Sequence, residues 1–190
     1  MCSYGVRKET TGSSAPEVGD KLHGGGGDGV DELRGGKGPD VVKPGADAGQ
    51  VFGAKGHDTV AVSGDDRWTV EDERITRFTP SEVVTDLASV EEVHVEGGTG
   101  GNKLLAVAFS GPVMLTGGDG DDRIVSGAGN DLLQGAKGRD QLVAGTGNDE
   151  LRGGPGDDEL RSGDGNDELL GGRGDDAYVG GAGGDSFRAC

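Results

Sequence analysis

Across residues 117–188 one apolar position recurs every nine residues: Ile124, Leu133, Leu142, Leu151, Leu160, Leu169, Tyr178 and Phe187. Each sits in the middle of a trio that reads as a short strand, with the central side chain inward and its two neighbours outward. A polar, glycine-rich hexad precedes every trio. Written out, the segment is GGDGDDRIV, SGAGNDLLQ, GAKGRDQLV, AGTGNDELR, GGPGDDELR, SGDGNDELL, GGRGDDAYV, GGAGGDSFR, eight units with no insertion between them. Position four is always glycine, position six is always aspartate, and position two is glycine except at Ala136. Columns held in register mark a repeat array, because a low-complexity tract keeps composition and not register. Glycine at positions two and four lets the backbone take positive φ and turn tightly. One unit cannot bury its single apolar side chain, but stacked units share one core. Two units then make a coil of 18 residues with a turn on each side. The first residues carry the same double period: Gly117, Gly135, Gly153 and Gly171 alternate with Ser126, Ala144, Ser162 and Gly180.

Upstream the pattern weakens. Residues 1–18 are polar, with Ser, Thr and Pro, and read as a disordered lead-in. A first, partly degenerate array spans 19–61: a unit tail at Gly19 to Leu22, then GGDGVDELR, GGKGPDVVK, PGADAGQVF and GAKGHDTVA. The third of these four units keeps Val51 but has Gly49 where aspartate is expected. Residues 62–116 lose the nine-residue period. Short apolar alternations around Trp68, Ile75, Val83 and Val93 predict strands with charged connections. GGTGGNKLL resembles a unit with Asn102 in place of aspartate. This stretch reads as longer coils continuing the solenoid, or alternatively as a small independent β-domain.

The aspartate column changes the picture from architecture to chemistry. Turns on one side stack about 4.8 Å apart, which brings carboxylates such as Asp122 and Asp140 together in a partly desolvated place. Uncompensated, that arrangement is strongly unfavourable. A hard divalent cation held by carboxylate and carbonyl oxygens removes the conflict. The main array holds no cysteine or histidine, so zinc and copper do not match it. The candidate metal ligands are Asp122, Asp131, Asp140, Asp149, Asp158, Asp167, Asp176 and Asp185, with Asp31, Asp40 and Asp58 in the first array. Pairing of alternate units makes Asp40 with Asp58 the best site of the first array, and leaves Asp31 opposite the defective unit.

These units match the pattern G-G-x-G-x-D-x-U-x, and over 72 of its 190 residues the chain resembles the RTX (repeats-in-toxin), haemolysin-type calcium-binding nonapeptide repeat family. The resemblance implies an all-β parallel β-roll with several Ca2+ ions between turns i and i+2. It also implies bacterial type I export and folding outside the cell. Arrays of this kind usually close with a C-terminal cap and secretion signal, whereas here the sequence stops at DSFRAC, with Ala189 and Cys190 after the last unit. The function expected is calcium binding by a secreted, monomeric, non-catalytic module that folds on meeting calcium. The alternatives are an accessory or secretion module of a larger extracellular enzyme, toxin or adhesin, and a structural or adhesive surface protein.

Composition agrees with a repeat array. Hydrophobic residues make up 31% of the chain and 42 residues are glycine, too little apolar matter for a conventional packed core. The net charge of −17 argues against nucleic acid and anionic membranes as partners. No apolar run approaches a membrane span, and the N-terminal residues lack the apolar core of a Sec signal peptide. His23, His57 and His94 stand in no recognisable catalytic motif, and there is no H-E-x-x-H. Cys2 and Cys190 read as two thiols. A disulfide needs Cα atoms within about 7 Å, and the ends of a solenoid lie far apart.

Overall fold

A computed structural model describes residues 3–5, 13–14, 19–24, 31–44, 49–64, 67–71, 73–78 and 82–188. Cys2 and Cys190 lie outside the described residues. Among the described residues the secondary structure is β-strand without helix. In chain order the strands are β1 (Ser3–Gly5), β2 (Ser13–Ser14), β3 (Lys21–His23), β4 (Asp31–Lys37), β5 (Val41–Lys43), β6 (Gly49–Lys55) and β7 (Thr59–Ser63). The middle of the chain gives β8 (Arg67–Glu71), β9 (Arg74–Phe78), β10 (Glu82–Ala88), β11 (Glu92–Glu96) and β12 (Lys103–Ala108). The main array gives β13 (Val113–Asp119), β14 (Arg123–Val125), β15 (Leu132–Lys137), β16 (Gln141–Val143) and β17 (Glu150–Pro155), then β18 (Glu159–Arg161), β19 (Glu168–Arg173), β20 (Ala177–Val179) and β21 (Ser186–Arg188). No helix is long and apolar enough to cross a membrane.

The strands fall into two compact units, Met1–Val62 with Asp72–His94, and Ser63–Glu71 with Val95–Cys190. Each is a β-solenoid of two sheets of parallel strands. In the second unit, β13, β15, β17, β19 and β21 follow one another in one sheet, and β8, β12, β14, β16, β18 and β20 in the other. The register advances by 18 residues per coil: Leu115 pairs with Leu133, Leu133 with Leu151 and Leu151 with Leu169, while Ile124 pairs with Leu142 and Leu142 with Leu160. All of these side chains are fully buried. Two ladders of identical inward positions, one per sheet, therefore make the core. Consecutive units alternate between sheets, as the double period of the first residues requires. At the last coil Tyr178 and Phe187 replace the aliphatics and meet edge to face, with ring centroids 5.9 Å apart.

The first unit repeats the scheme with fewer coils. Leu22, Val42 and Val60 form one buried ladder, and Leu33 with Val51 the other. Of residues 1–18, expected to be a disordered lead-in, the described ones are two short strands: β1 pairs in parallel with β3, and β2 with β4. The physical reason is the edge of each sheet, whose exposed N–H and C=O groups order any extended segment laid alongside. In the irregular middle segment, β10 pairs in parallel with β6 in the first unit, and β8 with β12 in the second. The segment also contains an antiparallel pair, β9 with β10, that no nine-residue pattern signals.

Position two takes positive φ in most units, at Gly36, Gly118, Gly154, Gly163 and Gly172, and two alanines also hold it: Ala136 at +82° and Ala54 at +82°. An L-residue there is strained by about 1–2 kcal/mol, offset in part by the lower unfolded-state entropy of alanine. Replacing Ala136 by glycine is expected to stabilise the folded chain by about 1 kcal/mol. An unchanged or lower melting temperature of the calcium-loaded Ala136→Gly variant would show that the turn carries no strain.

Candidate metal centres along the turns

The aspartates of position six leave the turns and point inward, just before each short strand begins. They form columns whose members are one coil apart. Asp140 Oδ1 accepts the backbone N–H of Asp122 at 2.8 Å, Asp158 Oδ1 that of Asp140 at 2.8 Å, and Asp176 Oδ1 that of Asp158 at 3.0 Å. On the opposite turns Asp149 Oδ1 accepts from Asp131 at 2.8 Å, Asp167 Oδ1 from Asp149 at 2.9 Å, and Asp185 Oδ1 from Asp167 at 3.3 Å. Asp122 and Asp131 close the columns by accepting from the N–H groups of Asn102 and Val113. The first unit has a third column: Asp40 Oδ1 accepts from Asp20 N–H at 2.7 Å, and Asp58 Oδ1 from Asp40 N–H at 2.9 Å. Glu91 takes the next place, its Oε2 accepting from Asp58 N–H at 2.8 Å.

Each carboxylate thus spends one oxygen on the backbone of the neighbouring coil. The second oxygen is left over in all but the last unit, where Asp185 Oδ2 accepts from Gly181 N–H at 3.2 Å. Oδ2 of Asp40, Asp58, Asp122, Asp131, Asp140, Asp149, Asp158 and Asp167 is buried and has no hydrogen-bond partner. A buried carboxylate oxygen without a partner is costly, and a column of them is costlier. Burial above all, and then neighbouring carboxylates at every one but Asp131, push the acids up from their ordinary value of 3.8: Asp140 to about 7 and Asp149 to about 6, with Asp40, Asp58, Asp122, Asp131 and Asp158 also raised. N–H groups of the preceding coil act in the opposite direction without cancelling the shift.

The glycines of position one belong to the same device. A Cβ at Gly117, Gly135, Gly153 or Gly171 would lie 2.1–2.3 Å from the Oδ2 of the aspartate five residues on. Glycine therefore makes room for the second oxygen, which explains its recurrence in one column. In the other column Ser126 and Ser162 occupy position one, both buried.

No three carboxylates or imidazoles converge on a single point among the described residues. The columns are linear, one carboxylate per turn, so a cation lodged in a column would take its remaining donors from backbone carbonyls of the glycine turns. An all-oxygen donor set of that kind fits a hard cation of flexible coordination, calcium above magnesium. The orphaned, buried Oδ2 atoms are where such a charge is needed.

Of the sequence candidates, Asp122, Asp140, Asp158 and Asp176 come together in one column, Asp131, Asp149, Asp167 and Asp185 in a second, and Asp40 with Asp58 in the third. Asp176 and Asp185 are only half buried and belong to the last two units. Asp31 is placed opposite Gly49 at the start of its strand, and its side chain lies outside the described residues. Asp20 and Glu91 were not singled out by sequence. Their spacings to Asp40 and Asp58, 20 and 33 residues, break the period that identified the others.

A second ladder runs along the exposed position five. Asn130 Oδ1 accepts from Asn148 N–H, Asn148 Oδ1 from Asn166 N–H and Asn166 Oδ1 from Gly184 N–H, each at 2.8–2.9 Å. On the other side Asp121 caps Arg139 N–H, and Asp157 caps Asp175 N–H. The recurring Asn in alternate units was the readable signal.

Raised acids make the metal-free fold pH-dependent in a defined direction. A carboxyl with a raised folded pKa stabilises the fold below its unfolded pKa, near 4, and that stabilisation is lost as pH rises to about 7 for Asp140 and about 6 for Asp149. Lowering pH from 8 to 5 without calcium is therefore expected to increase β-sheet circular dichroism. The same step should raise the calcium concentration needed for folding, because protons and metal compete for the carboxylates. A metal-free spectrum insensitive to pH across this window would refute the burial of these groups.

A family model described as RTX calcium-binding nonapeptide repeat, in four copies, matches residues 25–60, 116–151 and 152–187, more than half of the chain. No curated protein matches the chain.

Proposed function

The chain belongs to the RTX calcium-binding nonapeptide repeat family, and from that premise we propose that it is a secreted, non-catalytic module that folds when it binds calcium outside the cell. Repeats of this family bind calcium and are typical of secreted bacterial proteins. The observation that carries the reading is the set of eight buried Oδ2 atoms with no partner, stacked in columns at one coil spacing. A divalent cation between successive turns gives each of them a counter-charge. The proposed ligands are the position-six aspartates of the two main columns and Asp40 with Asp58, joined by turn carbonyls. Four turns in each main column leave three gaps, so up to six ions bind there, with one or two more in the first unit. Export by a type I route places this folding in a calcium-rich medium.

The test is calcium titration followed by circular dichroism and calorimetry. Several calcium ions per chain are expected, with magnesium failing to substitute at similar concentration. Replacing Asp149 and Asp167 by alanine removes two neighbouring members of one column. That variant should need several-fold more calcium for half-folding and should fold less cooperatively. Asp164→Ala, at an exposed position on the same turns, should leave the titration unchanged. Uptake of no more than one calcium per chain would sink the reading.

A further inference from the structure

Outside the aspartate columns, the first unit gathers its chemistry at Glu92. The His94 Nε2–H group donates to Glu92 Oε1 at 2.8 Å. His57 Nε2 lies 3.4 Å from the other oxygen, Oε2. Thr59 Oγ1 also donates to Oε2, at 3.3 Å. His57 comes from position five of a turn and Glu92 and His94 from β11, so two successive coils contribute. The backbone holds these coils together beside the cluster, since the N–H groups of Glu91 and Glu92 both donate to Asp58 O. Burial raises the Glu92 acid, but the hydrogen bond and charge of His94, with help from His57, bring it below its ordinary value, so the carboxylate is ionised.

Two imidazole nitrogens on one carboxylate are a donor set of a different kind from the all-oxygen columns. Imidazole and carboxylate together suit zinc and its transition-metal neighbours rather than calcium. Tetrahedral zinc with bonds of about 2.0–2.1 Å holds neighbouring donors about 3.3 Å apart. The His57–Glu92 separation of 3.4 Å is close to this value, and the 2.8 Å His94–Glu92 hydrogen bond opens to it when the ion replaces the shared proton. The three side chains do not surround a common point as they stand, but the His57 side chain is 60% exposed and can turn toward one. Thr59 holds Oε2 of the carboxylate by its hydrogen bond, the outer-shell role that orients a ligand. The side-chain exposures of 29% for Glu92 and 34% for His94 leave the cluster open to an entering ion and to a completing water.

We propose that His57, Glu92 and His94 form a binding site for one transition-metal dication of the zinc class, separate from the calcium columns. Such an ion links two successive coils of the first unit through their side chains, where the columns link coils through the turns.

The experiment is calorimetric titration of zinc chloride into the calcium-saturated full chain at pH 7.5, with Cys2→Ser and Cys190→Ser in place to remove thiol ligands. One zinc per chain is expected. His57→Ala and His94→Ala should each weaken it at least about tenfold, and Glu92→Gln should do so without removing side-chain volume. His23→Ala serves as control and should bind zinc as the parent does. Circular dichroism in calcium confirms that each variant is folded, and calcium titration of the same variants tests the column reading separately. Absence of zinc uptake by the parent, or uptake unchanged by all three cluster substitutions, overturns the proposal.

Discussion

Removing calcium with EGTA is expected to abolish the β-sheet circular dichroism of the protein and its cooperative melt, and calcium in the range of about 10⁻⁴–10⁻³ M should restore both. The expectation rests on what the fold buries. Each coil of the main array before the last contributes two inward apolar side chains, and around them lie two carboxylates whose second oxygens have no partner. The first oxygens are satisfied by backbone N–H groups, so the shortfall is confined to Oδ2, and it repeats at every coil before the last. A net charge of −17 adds general self-repulsion, and 42 glycines raise the entropy lost on ordering. The cation supplies what the polypeptide lacks, which makes metal binding and folding a single event. A full β spectrum and cooperative melt that EGTA leaves untouched would separate the fold from the switch and disprove the latter.

The second large effect is expected from Gly147→Ala. Gly147 has φ +132°, and a Cβ there would lie 1.7 Å from the carbonyl oxygen of Gly129 on the neighbouring coil. The obstacle is backbone, so no side-chain rotation relieves it. Forcing the residue into the turn costs about 1–2 kcal/mol for the left-handed conformation alone, and the overlap must push two coils apart in mid-array. A loss of more than about 3 kcal/mol is expected, read as a collapse of the melting temperature in saturating calcium. Gly100→Ala is the matched control, since a Cβ there meets nothing within 4 Å; it should fall within about 0.5 kcal/mol of the parent. Equal melting of the two variants would mean that the coils do not stack in this register.

Much of this was legible in the nine-residue period. The inward column from Ile124 to Leu169, the alternation of units between two sheets and the stacking of Asp122 with Asp140 all follow from period and residue type. The sequence left out what depends on atoms rather than positions. That each aspartate gives one oxygen to the coil before it and keeps the other bare is a matter of side-chain rotamer, invisible in a repeat pattern. Asp20 and Glu91 escaped because insertions shift them off the period, although they sit at the ends of the same column. The antiparallel pair β9 and β10 escaped for the opposite reason: its pairing is local and carries no repeat signature. The strands at Ser3–Gly5 and Ser13–Ser14 arise from the edges they join, not from any apolar pattern of their own.

The 18-residue register has a consequence for how such a chain can change length. Excising residues 144–161, a pair of units, would bring Tyr178 beside Leu142 and Leu169 beside Leu133, leave Phe187 beside Leu169, and set Asp176 after Asp140 and Asp167 after Asp131. Every later strand would stay in its own sheet. Excising 144–152 alone would send each later strand to the opposite sheet. Leu160 would then stack on Leu133 rather than Leu142, and Asn166 would leave the row of Asn130 and Asn148 for that of Asp121 and Arg139. Insertions and deletions in this array are thus tolerated by parity: the solenoid grows and shrinks in even steps.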